Sequence, residues 1–310
     1  MGQELKARKA AGDDVAYSLD LFSTASLLET PHAVAQLHED YIKAGATVIT
    51  TASYAVTRFY LDKIGEASRV KELNELCVAL AKQAIAKTDS AASVSVAGCV
   101  PPLSESYRAD LVPQDKQLRE EYAEIIDSLM GSDIFLCETM SSMREAAVAV
   151  PMCVAKGKPT WASFTLKHDK KDRLCIPDGT DVEAVVKQTV AMGVEAVLFN
   201  CCAPELIAEA LPKASAALNG SPSYIRLGGY GNAWEECDRD HWTIDQNESH
   251  VGANDHGAHG MVVRDLCEAH YVEQVQDWLR SGASIVGGCC GISPAHIQAI
   301  RDLQECTERQ

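Results

Sequence analysis

Short apolar runs alternate along the chain with longer stretches whose apolar residues recur every three or four positions. The runs are Thr47–Thr50, Val94–Gly98, Ile134–Cys137, Thr160–Phe164, Ala196–Phe199, Tyr224–Leu227 and Ser284–Gly287. Their length and β-rich composition predict buried strands. Between them, 31–44, 68–87, 118–130, 142–155, 181–192, 204–218, 271–281 and 294–303 carry a helical period, as in Val70, Leu73, Leu76, Cys77, Leu80, Ala81 and Ile85. Gly45, Gly131, Gly157, Gly193 and Gly282 stand where such helices would stop. Pro212 should kink or split the helix over 204–218.

Strand–helix units in strict βα order predict an α/β fold with a parallel sheet. The seven visible strands are one short of a (β/α)8 TIM-type barrel, which is the favoured architecture, with an open doubly wound sheet second. The missing unit should be the first. The chain opens on Gln3–Arg8, which is helical in character and has no strand before it. Strand one is therefore expected upstream of Met1, or the opening is covered in another way. No Pro/Ser-rich linker and no internal repeat divides the sequence, so 1–310 reads as one domain.

Charge narrows the partners. With 44 Asp and Glu against 28 Lys and Arg, the net charge of −16 argues against nucleic acid and anionic lipid. No stretch reaches the roughly 18 apolar residues of a membrane span, and the N-terminus lacks a signal-peptide core, so a cytoplasmic location is expected. The 12 cysteines should there be thiols rather than disulfides. Cys77, Cys153, Cys237, Cys267 and Cys306 read as small buried hydrophobes. The Lys167–Gly179 segment reads as a solvated charged loop with a Pro-Asp-Gly turn. Residues 232–260 form a long polar stretch after the sixth strand, on the face where a barrel carries its active site. His241, His250, His256, His259 and His270 crowd near it and read as a polar loop rather than a metal site.

Candidate chemistry lies elsewhere. Phe199-Asn200-Cys201-Cys202 and Gly287-Gly288-Cys289-Cys290-Gly291 each follow an apolar run, and Cys201 and Cys289 are 88 positions apart. In a barrel these strands are next-but-one neighbours whose inward residues share a layer. Thiolates from two strand ends suit a soft divalent metal, and zinc with three protein sulfurs keeps a fourth position open. Alternation places Cys202 outward, which favours Cys201. Gly287, Gly288 and Gly291 allow the bend that aims Cys289 and Cys290 at one point. On spacing alone, three buried thiols without a metal remain the other reading.

Several blocks then fall in order. His38-x-x-Tyr41-x-x-Ala44-Gly45-Ala46 leads into Ile49-Thr50-Thr51-Ala52-Ser53-Tyr54; Cys137-Glu138-Thr139 ends a strand; Asn200-Cys201 and Gly287-Gly288-Cys289-Cys290 follow. Over nearly its whole length the chain resembles the homocysteine S-methyltransferases. The resemblance implies a zinc-dependent barrel that transfers a methyl group to homocysteine, giving methionine, with Cys201, Cys289 and Cys290 as ligands. It implies Glu138 as a contact to the amino acid end of homocysteine, with Asn200 and Asn232 in the site. Phe22 stands where the family usually has Trp, and Tyr230-Gly231-Asn232 where it prefers Tyr-Pro-Asn. Tyr54 and Phe22 are candidate walls for a cationic donor. The family's other acidic contact is an Asp-Gly-Gly or Asp-Gly-Ala motif on strand one. Met1-Gly2-Gln3-Glu4-Leu5 resembles what directly follows that motif. S-methylmethionine or S-adenosylmethionine is the expected donor. Betaine- or cobalamin-linked methylation and selenocysteine methylation are alternatives, and a non-catalytic zinc–thiolate protein or thiol sensor is the reading from another class. The sequence assigns no oligomeric state.

Overall fold

A computed structural model describes residues 1–18, 21–88, 94–234 and 266–308. After α1 (Gly2–Ala10), α2 (Thr24–Glu29) and α3 (Pro31–Lys43) the βα rhythm begins. It runs β1 (Val48–Thr50), α4 (Arg58–Asp62), α5 (Val70–Ala86), β2 (Ser95–Val100), α6 (Asp115–Ser128), β3 (Ile134–Met140), α7 (Met143–Val154) and β4 (Thr160–Phe164). A hairpin of β5 (Lys167–His168) and β6 (Leu174–Cys175) precedes α8 (Val182–Ala191) and β7 (Ala196–Asn200). Then come α9 (Pro204–Ala217), β8 (Arg226–Gly231), α10 (Glu268–Arg280), β9 (Ile285–Gly288) and α11 (Pro294–Glu308).

The seven long strands form one sheet in the order β1-β2-β3-β4-β7-β8-β9, parallel at every pairing. The sheet curls into an open TIM-type barrel. Its edges are β1 and β9, and no strand among the described residues joins them. This matches the seven strands read from the sequence. Strand alternation sorts the side chains into two cores. Phe135, Cys137, Ala162, Phe164, Val197 and Phe199 pack outward against the helices. Ala97, Ile134, Leu136, Trp161, Ala196 and Leu198 point inward, with Val48, Tyr230 and Ile285 against them. Each fully buried Phe or Leu contributes roughly 1.5–3 kcal/mol, so the outward layer holds the helices on the sheet.

The structure departs from the expected elements in identifiable ways. The sixth strand runs Arg226–Gly231 rather than Tyr224–Leu227, and Tyr224 is exposed. The strand continues through two glycines because its neighbour comes too close for a side chain: a Cβ on Gly228 would lie 1.9 Å from the Ile285 carbonyl oxygen. Helix α9 passes Pro212 without splitting. Pro212 is on the exposed side and Ala208, whose carbonyl loses its partner, is only half-buried, so solvent can satisfy that group. Gly45, Gly157, Gly193 and Gly282 adopt positive φ past helix ends, whereas Gly131 does not. The expected loop 167–179 is instead a small hairpin. Asp169 accepts the backbone N–H groups of Lys171 and Arg173 across its turn, and Leu174, Cys175 and Ile176 are buried. Cys77 and Cys153 are buried as expected, but Cys267 is exposed at the start of α10. Most of the polar stretch, with His241, His250, His256, His259 and Cys237, lies outside the described residues, as do the side chain of Cys306 and the structure of 235–265.

Candidate functional site

The inward alternation continues to the strand ends and brings a layer of polar side chains to the mouth of the barrel. Cys99 (β2), Glu138 (β3), Ser163 (β4), Asn200 (β7) and Tyr230 (β8) hold the last inward positions of their strands. They are joined by hydrogen bonds. The Cys99 thiol donates to Glu138 Oε2 at 3.1 Å, and the Tyr230 hydroxyl donates to Glu138 Oε1 at 3.1 Å. Ser163 Oγ donates to Asn200 Oδ1 at 2.7 Å, and Asn200 Nδ2 donates to Thr139 Oγ1 at 2.8 Å. The strands thus tie one another's ends through side chains as well as through the sheet. Burial pushes the Glu138 carboxyl up from its ordinary value, while the thiol and phenol donors oppose that shift.

Above this layer three sulfurs meet. The Sγ atoms of Cys201, Cys289 and Cys290 all lie within 4.8 Å of one another, with Cys201 and Cys290 at 4.0 Å. β8 sets this geometry by its backbone. Its end hydrogen-bonds to both cysteine segments: Cys201 N–H to Tyr230 O, Asn232 N–H to Cys202 O, Cys289 N–H to Gly231 O and Ala233 N–H to Cys290 O. Gly291 closes the bend at φ +80, and a Cβ there would lie 2.7 Å from that of Ala233.

Cys201 joins the sulfur cluster and Cys202 does not, and alternation is not what separates them. Ala196, Leu198 and Asn200 are the inward positions of β7, so simple alternation would send Cys201 outward. Cys201 instead takes φ +53, a left-handed turn that redirects its side chain to the mouth. Cys202 packs into the outer core. Thr139, one residue past Glu138, turns in the same way at φ +58.

The donor set fits zinc. Three sulfurs about 2.3 Å from a tetrahedral ion stand roughly 3.8 Å apart, close to the Cys201–Cys290 spacing. Hydrogen bonding to Cys201, with burial, pushes the Cys289 and Cys290 thiols well above their ordinary range. Cys289 and Cys290 are thus poorly ionised by themselves, and a cation bound there would hold them as thiolates.

The sulfurs face a cavity of about 490 Å³. Glu138, Tyr54 and Phe22 line it, as do Tyr107 and Trp234, and it extends down the gap between β1 and β9 to Thr47 and Ser284. Tyr54 is fixed by a 2.8 Å hydrogen bond between its hydroxyl and Ser106 Oγ. Phe22, at φ +48, packs edge-on to Tyr60 at 6.0 Å. Two expected site residues stand behind the wall rather than on it. Asn200 is fully buried and spends its amide on Ser163 and Thr139. Asn232 is also fully buried, and its Oδ1 accepts from the Trp234 N–H at 3.1 Å.

The sequence reading missed Tyr107, Trp234, Cys99 and Tyr230. Tyr107 hydrogen-bonds through its hydroxyl to Cys201 Sγ at 3.0 Å, and it packs with Trp234 around the three cysteines. Its segment follows β2 on the catalytic face of a barrel, a position that could have marked it. Buried Glu145 holds that segment by accepting from the Leu103 N–H and the Tyr122 hydroxyl, both at 2.9 Å.

Comparison with known proteins places this arrangement. The homocysteine S-methyltransferase of Escherichia coli strain K12 is 29% identical over 97% of this chain and 92% of its own length. The selenocysteine Se-methyltransferase of Brassica oleracea var. italica is 27% identical over 90% of this chain and 81% of its own. The crystal structure of the homocysteine methyltransferase MmuM from Escherichia coli, in its metallated form, matches with a TM-score of 0.72 at 25% identity, covering 95% of this chain and 92% of that one. The model of the family described as homocysteine S-methyltransferase matches residues 1–303, and with an open (β/α) barrel carrying three cysteine sulfurs at its mouth, the chain belongs to that family.

Proposed function

We propose that this chain is a zinc-dependent homocysteine S-methyltransferase, acting as one barrel domain, with Cys201, Cys289 and Cys290 as the metal ligands. The observation that carries the reading is the meeting of those sulfurs within 4.8 Å at a cavity that also presents the Glu138 carboxylate. Zinc bound there supplies Lewis acidity that makes the acceptor thiol a thiolate near neutral pH, where a free thiol near pKa 8.5 is mostly protonated. Glu138 pairs with the α-ammonium of homocysteine and fixes which end of the acceptor faces the cysteines. Tyr54 and Phe22 offer aromatic faces to a sulfonium donor. Tyr107 and Trp234 wall off the thiol cluster.

The reaction needs little proton traffic. The acceptor thiol gives up its proton to solvent. The sulfur lone pair then forms the new S–CH3 bond as the donor's C–S bond breaks. The departing pair leaves the sulfonium as a neutral thioether, so no general acid is required. S-methylmethionine and S-adenosylmethionine both satisfy this chemistry. Location in the cytoplasm is part of the proposal, because the site's thiols need reducing surroundings.

Mass-spectrometric detection of methionine from homocysteine with each donor, before and after chelation, tests the reading. Selenocysteine serves as a second acceptor because a relative is named for it. Methionine formed with one sulfonium donor and lost on chelation supports the proposal. Full activity in metal-free protein contradicts the zinc assignment. Absence of methyl transfer to either acceptor from zinc-loaded protein contradicts the activity.

A further inference from the structure

We infer that Cys99 and Tyr230 are positioning residues that hold the Glu138 carboxylate so that the cavity selects acceptors bearing an α-ammonium group. The inference rests on the proposed role of Glu138 and extends it to residues that the metal site and the donor do not use. Cys99 is buried beneath Glu138, is absent from the sulfur cluster and does not line the cavity. Cys99 can influence an acceptor only through Glu138, whereas Tyr230 also lines the cavity, so the Cys99 variants carry the decisive comparison.

The contact is specific. Glu138 reaches from β3, and each of its two oxygens receives one donor at 3.1 Å: Oε2 the thiol from neighbouring β2, Oε1 the phenol from β8 across the barrel. The carboxylate is therefore gripped from two sides, and rotation about its last side-chain bonds breaks at least one contact. Both donors are neutral, so they orient the charge without cancelling it. A lysine or arginine in either place would neutralise it. Each carboxylate oxygen can accept more than one hydrogen bond, which leaves capacity for a cation arriving from the cavity.

The gripping residues are themselves fixed. The Cys99 backbone N–H donates to Thr51 Oγ1 at 2.9 Å, and its carbonyl accepts from Ser53 Oγ at 3.2 Å. Tyr230 is held against the inner core layer. A carboxylate with a single orientation distinguishes homocysteine from the same thiol acid without its amino group, because its charge is presented only where the ammonium lies. A carboxylate free to rotate loses part of that distinction.

The test compares kcat/KM for homocysteine with that for 4-mercaptobutanoate, the des-amino analogue, in wild type, Cys99→Ala, Cys99→Ser, Tyr230→Phe and Glu138→Gln, with zinc content measured in each. A hydrogen bond to a charged group is worth enough that Cys99→Ala and Tyr230→Phe should each lower the homocysteine preference about tenfold. Cys99→Ser, which restores a donor, should keep the preference within about twofold of wild type. Glu138→Gln should abolish it. Zinc content should stay at the wild-type level throughout. A preference unchanged in Cys99→Ala and Tyr230→Phe overturns the inference alone. A wild type with no preference, or one kept by Glu138→Gln, overturns it together with the ammonium role of Glu138. If Cys99→Ala does not fold, Cys99→Ser and Tyr230→Phe still decide: loss in both, or in neither, overturns the positioning role.

Discussion

Cys201 and Cys290 hold their Sγ atoms 4.0 Å apart although 89 positions separate them in the chain. The strand between theirs in the sheet, β8, hydrogen-bonds to both segments. Each cysteine also reaches the common point by a local departure from strand geometry: a left-handed residue at Cys201 and a glycine bend at Gly291. The cluster is therefore built into the sheet's end and should form before any metal arrives.

This makes the ligand set testable by substitution. Cys290→Ala and Cys289→Ala should each lose most bound zinc and nearly all methyl transfer, while Cys202→Ala, whose side chain lies in the outer core, should keep its zinc. Metal analysis of the purified variants checks this. Zinc lost from Cys202→Ala at wild-type folding would show that the end of β7 contributes its other sulfur.

Tyr107 touches Cys201 Sγ through its hydroxyl at 3.0 Å. Contacts to a metal-bound group from the surrounding shell orient it, and their loss weakens metal binding by about tenfold or more. Tyr107→Phe should accordingly raise the zinc dissociation constant about tenfold in competition with a chromophoric chelator. An unchanged constant would show that the hydroxyl contributes nothing to the site.

Gly228 should be intolerant of any side chain. A Cβ would sit 1.9 Å from the backbone oxygen of Ile285, so β8 and β9 would have to separate. Gly228→Ala is expected to cost more than about 4 kcal/mol in urea unfolding, or to prevent folding. A loss below about 1 kcal/mol would mean the two strands can part cheaply.

His38 predicts a pH dependence. It is fully enclosed, and among the described residues its Nε2 has no hydrogen-bond partner. Burial holds its pKa at about 3, against an ordinary 6.5. Between those values the unfolded chain binds a proton that the folded chain does not, so stability falls as pH drops from 6.5 towards 3. The slope approaches roughly 1.4 kcal/mol per pH unit. His38→Gln should flatten that slope relative to wild type in urea titrations at pH 4, 5 and 6. Parallel curves would contradict the burial of a neutral imidazole.

Legibility in the sequence followed the physics of each element. Runs such as Thr160–Phe164 and Ala196–Asn200 carry their own signal, because burial on both faces demands apolar, β-rich residues. β8 was read only at its start, over Arg226 and Leu227, since Gly228 and Gly229 have low strand propensity and are there because β9 and α9 approach closely. The three cysteines were legible as a set by their position at strand ends. The parity that aims Cys201 was not, because a positive φ at one non-glycine residue leaves no mark in the sequence. Nor could the Cys99–Glu138 contact be read, since it depends on the register of two strands whose partners are 39 residues apart.

The central claim is that three protein sulfurs hold one zinc ion that activates homocysteine. The most direct measurement titrates zinc into metal-free protein and follows trideuteromethyl transfer from labelled S-methylmethionine or S-adenosylmethionine to homocysteine. The rate should rise in proportion to added zinc, reach its plateau at one zinc per chain, and stay absent in Cys290→Ala at every zinc concentration. A full rate without zinc, or a full rate in Cys290→Ala, would contradict the account.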